Sequence, residues 1–256
     1  MFRPVRRAPQ VVFDPEREEA ELRAYLGTSY DRGLLERWQQ TLEREFEACE
    51  DEQRFYRSSE AYLYNLTAFA MTGTKTPYLE EFLRCVPPRS RVLDYGCGIG
   101  SDGLALLEAG YKVEFADFDN PSTRYLRWRL GRRGLEAPIH DLDREVPGGY
   151  DAAYALDVIE HVSDPFAFLG ELESRSRLVM VNLLEPGPDE EVLHRELPVR
   201  ELVDHAATRR LISYRVHHGR SHLVLYSPER ARPMGRLMAR AQVMATRVRR
   251  RARRER

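Results

Sequence analysis

The chain has 256 residues, of which 42% are hydrophobic and 32% charged. That length exceeds one average domain and falls short of two, so one core domain with an extension is expected. No apolar run approaches the roughly eighteen residues of a membrane-crossing helix, and Cys49, Cys85 and Cys97 lack the CxxC spacing of a disulfide framework or zinc site.

No apolar stretch follows the basic residues of MFRPVRRAPQVVFDPE, so a secretory signal is not expected and the chain reads as cytoplasmic. The formal charge of −1 hides an asymmetry: residues 229–256 hold eleven arginines against two glutamates, +9, which leaves −10 on residues 1–228.

The N-terminal region reads as helices. DPEREEAELRAYLG has Pro15 at a first helical position and Gly27 as a stop. RGLLERWQQTLEREFEACE sets Leu34, Leu35, Trp38, Leu42 and Phe46 at helical spacing, and EQRFYRSSEAYLYNLTAFAMTG gives a third helix ending near Gly73. Beyond Thr76 the elements alternate. Helix PYLEEFLRCV leads to strand RVLDYG, helix SDGLALLEAG, strand YKVEFADF and helix PSTRYLRWRLGRRG. API and YDAAYAL are strands, SDPFAFLGELESR a helix, RLVMVNLL a strand and VRELVDHAATRR a helix. ISYRVHHGRSHLVLYS closes as two strands hinged at His218-Gly219-Arg220. This order predicts an α/β fold, a mostly parallel sheet covered by helices on both faces with one antiparallel late strand. Three regions follow: a helical cap over 1–74, a core over 75–228, and a basic tail over 229–256 that is helical or disordered. In the tail, Leu237, Ala241, Met244 and Val248 form one helical stripe among arginines. That pattern suits an anionic membrane surface or nucleic acid, and equally a solvated chain end.

Asp94-Tyr95-Gly96-Cys97-Gly98-Ile99-Gly100 stands between a strand and a helix. Glycines there permit a tight turn and close approach of a ligand to the backbone, and the helix N-terminus beyond favours negative charge. Asp117 ends the next strand 21 residues after Gly96, where an acid accepts from both hydroxyls of a ribose. Gly98, Gly100 and Gly103 also satisfy G-x-G-x-x-G, so a nicotinamide dinucleotide is the competing reading.

Four segments together resemble the class I S-adenosylmethionine (SAM)-dependent methyltransferases, especially small-molecule members of the ubiquinone-biosynthesis type. VLDYGCGIG resembles the first motif of that family, with Asp94, Gly96, Gly98 and Gly100 in register. VEFADFD resembles the second, which puts Asp117 at the ribose and Phe118 over the adenine. IHDLD resembles the third, which puts Asp141 near the adenine amino group and Leu142 beside the ring. YDAAYALDVIEHVSDP resembles the fourth, facing the methyl group and acceptor. The resemblance covers residues 91 to 165 and implies a Rossmann-like seven-stranded sheet with an antiparallel last strand.

It also implies methyl transfer to a small molecule, with oxygen favoured over nitrogen or carbon; the seventy-residue cap suits enclosure of such an acceptor. RNA methylation through the basic tail, or a non-catalytic SAM-fold binding subunit, are the alternatives. The candidate catalytic residues are Asp157 and His161 in Asp157-Val158-Ile159-Glu160-His161, and His194, with Glu191 or Glu196 as its acid. Tyr62 and Tyr64 are expected to close over the cofactor, and Lys75 and Thr76 to reach its carboxylate. Asp119 is expected to cap the following helix. No metal is expected, because no acid or cysteine cluster joins His217, His218 and His222.

Overall fold

The computed structural model describes residues 11, 13–49, 51–185 and 194–254. Five helices form the N-terminal cap: α1 (Pro15–Leu26), α2 (Arg32–Glu36), α3 (Trp38–Glu47), α4 (Glu52–Ser58) and α5 (Ala61–Met71). Asp14 caps α1 by accepting from the Glu16 and Arg17 amides, and Pro15 takes the first position, where no amide hydrogen is needed. The helix expected over residues 32–50 breaks at Arg37, whose φ of −108° and ψ of 31° are not helical. The helix expected over 52–73 breaks after Ser58, and the Ser59 hydroxyl accepts from the Tyr62 amide to start α5 afresh.

Beyond the cap come α6 (Thr76–Cys85), β1 (Arg91–Tyr95), α7 (Ser101–Glu108), β2 (Lys112–Asp117), α8 (Pro121–Arg132), β3 (Ile139–Asp141) and β4 (Ala152–Ala155). Then follow α9 (Pro165–Arg175), β5 (Val179–Leu184), α10 (Val199–Thr208), β6 (Arg209–His217), β7 (Ser221–Arg230) and α11 (Pro233–Arg254). The strand order is β3-β2-β1-β4-β5-β7-β6, with β7 antiparallel to both its neighbours. Helices cover both faces, which is why β4 and β5 are apolar almost throughout. On one face Phe82, Leu104 and Leu126 pack against Val92, Phe115 and Met180; on the other Leu169, Leu202 and Val243 pack with Leu93, Val181 and Val224. Asn120, rather than Asp119, caps α8, in a reciprocal box with Thr123.

The cap is fastened to this core by buried charge. Arg129 of α8 is wholly buried and binds Glu18 and Glu21 of α1, the Ile99 carbonyl at 3.0 Å and the Ser101 hydroxyl at 2.8 Å. Arg133 donates to Glu21 at 2.8 Å alongside it. The tail is helical through Arg254, and Ala239 and Val243 complete the core on the α10 face. Of the expected stripe, Leu237, Ala241 and Met244 point outward, on the side opposite Ala239 and Val243. Among the described residues no helix is long and apolar enough to cross a membrane.

Candidate active site

Strand β1 ends in a turn whose geometry only glycine adopts readily. Gly96 and Gly98 have φ of 73° and 53°, and a Cβ on them would stand 2.7 Å from Val158 and 2.8 Å from Leu66. Both line a cavity of about 650 Å³ between the cap and the C-terminal ends of the strands, the usual ligand position in such sheets. Gly100 turns away from the cavity and starts α7.

Asp117 stands at the cavity from the end of β2. Its two carboxylate oxygens accept from the Gly98 and Phe118 amides, each at 2.7 Å. Burial pushes its carboxyl up to about 6, and those two amides pull the other way. Phe118 and Leu142 share the wall. The Arg57 guanidinium of α4 lies 4.3 Å over the Phe118 ring and pairs with Asp143, a latch from cap to core that no sequence motif announces.

Besides Gly100, three of the expected cofactor residues lie off the wall. Asp94 is buried beneath the glycine loop, where burial and the charge of Asp102 push its carboxyl up to about 8. Asp141 accepts from the Asp143 amide at 3.1 Å and so shapes the turn after β3. Tyr64 is buried in the cap, where its hydroxyl donates to the Ser29 carbonyl and accepts from the Asp31 amide. Tyr62 does line the cavity.

Lys75 is the hub of the cavity floor. Its ammonium donates to the Leu156 carbonyl at 3.1 Å and lies 3.3 Å from Asp102 and 3.4 Å from Asp157. Burial alone would favour the neutral amine, but the charges of Asp102, Asp157 and Asp94 outweigh it and hold Lys75 protonated. Burial raises the Asp102 carboxyl despite Lys75. Asp157 has φ of 56°, a left-handed conformation that costs a residue with a Cβ. It is held there by buried Asn182, whose side-chain oxygen accepts from the Asp157 amide at 2.7 Å while its nitrogen donates to the carboxylate.

The fold also brings His161 and His194 together on this cavity, with ring centroids 4.9 Å apart. Tyr56 of α4 shares a hydrogen bond of 3.1 Å with His161 Nδ1. The acid beside them is Glu160; Glu196 is exposed, and Glu191 lies outside the described residues. Donor atoms of Glu160, His161 and His194 lie within 4.8 Å of one another, a set able to hold a cation or pass a proton. The hairpin histidines have separate partners: His218 meets the Thr74 carbonyl, and His222 meets Tyr214 and Glu185.

The methyltransferase domain family matches residues 30–230. A ubiquinone biosynthesis O-methyltransferase of Xanthomonas campestris pv. campestris (strain B100) is 30% identical over 109 residues, 41% of this chain and 42% of that protein. One from Bordetella avium (strain 197N) is 34% identical over 101 residues, 38% of this chain and 42% of that protein. The match thus spans under half the length of these curated relatives. Among solved structures, a protein from Pyrococcus horikoshii OT3 superposes with a TM-score of 0.52 at 14% identity, over 73% of this chain and 99% of that one. The pyocyanin biosynthetic protein PhzM gives 0.51 at 18% identity, over 73% and 61%. These two likenesses carry the fold alone. With the family match, the sheet order and the glycine loop, the chain belongs to the methyltransferase domain family, within the class I SAM-dependent methyltransferases, whose cofactor is S-adenosylmethionine.

Proposed function

We propose that this chain transfers a methyl group from SAM to an oxygen of a small, largely apolar acceptor. The observation that carries the reading is one cavity lined by two chemically distinct sets of residues. Gly96, Gly98 and Asp117 form one set, His161 and His194 the other, and Trp38, Leu42, Leu66 and Phe69 of the cap complete the lining. When bound, SAM supplies an electrophilic methyl group on a sulfonium.

The glycine loop and Asp117 suit the cofactor, because backbone can approach closely and a carboxylate can accept from a ribose diol. Asp94 and Asp141 act from behind, one supporting the loop and the other shaping the turn that presents Leu142. For the acceptor, His161 or His194 takes the hydroxyl proton as the oxygen forms its bond to carbon, and Tyr56 orients the His161 ring. An imidazole suits an acidic hydroxyl such as a phenol; a carbon nucleophile would require a stronger base. The names of the ubiquinone O-methyltransferases support oxygen as the acceptor atom. The cap acts as the lid that excludes water and selects the acceptor.

The test is transfer of radiolabelled methyl from SAM to a panel of phenols and catechols, with binding of SAM measured separately by calorimetry. Labelled methyl ether that disappears in His161→Ala/His194→Ala supports the reading. Tight SAM binding with no labelled product on any hydroxyl acceptor, or product on amines alone, overturns it.

A further inference from the structure

We propose that α11 is a docking helix for anionic phospholipid bilayers. The helix has two apolar faces. Ala239 and Val243 are buried against the fold. Met234, Leu237, Met238 and Met244 are 68%, 64%, 67% and 60% exposed. Only Phe166 and Ile212 join them as exposed large hydrophobic residues among those described, so the exposed apolar surface is concentrated here. At about 100° per residue, these four and the exposed Ala241 and Ala245 fall in an arc of roughly 120°, opposite the buried pair. A helix that was only a core element would show polar residues on that outer arc.

Charge selects the occupant. From Pro233 to Arg254 the sequence holds eight arginines and no acid. Two copies meeting on this face would bring those arginines together and repel. Nucleic acid would neutralise them but leave Leu237 and the methionines in water, and α11 has no aromatic ring on which a base could stack. An anionic bilayer accepts both chemistries, with the apolar arc entering the acyl boundary and arginines reaching phosphates.

A second observation lies at the foot of the helix. Arg209 and Arg230 are paired across β6 and β7, a placement of like charges that is unfavourable without a counterion. With Arg236, His205 and Thr208 they surround a hollow of about 310 Å³. Glu173 offsets part of this charge, pairing with Arg209 at 3.0 Å and His205 at 2.7 Å. Arg230 and Arg236 leave the hollow cationic, and a lipid phosphate supplies the missing counterion. Both observations lie away from the cavity, so the proposal does not depend on methyl transfer.

The test mixes the full chain with vesicles of phosphatidylcholine alone or of equimolar phosphatidylcholine and phosphatidylglycerol, and reads the bound fraction by co-sedimentation. Binding to the anionic vesicles is expected to be tighter by about tenfold or more. Changing Met234, Leu237, Met238 and Met244 together to serine should abolish most of it while thermal stability and SAM affinity stay unchanged. Truncation is unsuitable, because it would also strip Ala239 and Val243 from the core. As a second measurement, Leu237→Trp should show a blue-shifted emission with anionic vesicles only. Equal binding to both vesicles, unchanged binding by the serine variant, or no spectral shift overturns the proposal. So does RNA binding that competes with vesicles and survives the serine changes, or a dimer that those changes dissolve.

Discussion

Cofactor affinity is expected to fall as the solution is acidified through pH 6, and Asp117 sets the magnitude. Its two oxygens already accept two amides, and a ribose diol brings two more donors. Only the ionised carboxylate has acceptor capacity for all four. With the carboxyl at about 6, the ionised fraction is about 97% at pH 7.5 and about 9% at pH 5.0. Proton and cofactor then compete, and Kd should rise about tenfold over that interval, about 1.4 kcal/mol. The sign is fixed by the direction of the shift. A carboxyl raised by burial is protonated first as pH falls, so affinity is full above pH 6 and lost below it. Calorimetric titration with S-adenosylhomocysteine between pH 7.5 and 5.0 measures this. Asp117→Asn should bind weakly and without pH dependence. A constant Kd in the unaltered protein would refute the reasoning. A slope retained in Asp117→Asn would assign the titration to another acid, with Asp102 the next candidate.

Three other outcomes follow from the same geometry. Replacing His161 or His194 by alanine should lower kcat by about 10²–10⁴ with SAM affinity unchanged, and a chelator should leave the unaltered enzyme active; loss restored by zinc would make the pair metal ligands instead of bases. Arg129→Met should cost about 3–5 kcal/mol, because it leaves Glu18 and Glu21 buried without their main partner. At about 2–4 °C per kcal/mol this is a fall of roughly 10 °C in Tm by calorimetry, and a change within error would show that the network contributes little. Asn182→Leu removes the clamp that holds Asp157 left-handed. Acceptor KM should rise while the circular dichroism spectrum stays the same; unaltered kinetics would show that Asp157 needs no such support.

The sheet and its flanking helices were legible because their signal is local. Apolar runs bounded by Gly, Pro and Asn mark strands covered on both faces, and the hairpin at His218-Gly219-Arg220 marks the antiparallel one. The cap was legible as helical but not in its pieces. Arg37 carries no breaker signature, and the chain bends there because α2 and α3 both pack against α5. The tail shows the same limit. Its apolar positions support two stripes at helical spacing, and only contact with β6 and α10 decides that Ala239 and Val243 face inward.

The site divides along the same line. Gly96, Gly98 and Asp117 do their work within one strand–loop–helix–strand unit, so spacing alone exposes them. Arg57, Lys75 and Asn182 work across the fold: Arg57 meets a partner 86 positions away, Lys75 one 81 away and Asn182 one 25 away. No periodicity can encode such pairs. What the sequence retains is the cost each residue would carry alone. An asparagine inside VMVNLL and a lysine in a chain with only two are polar groups that burial would penalise unless a partner waits elsewhere. Asp157 and His161 carry the same mark, being charged or titratable positions in a segment that continues an apolar strand. The useful signal beyond motifs is therefore the polar residue that breaks an apolar run. Here Asp157 and Asn182, each such a break, turn out to be each other's partner.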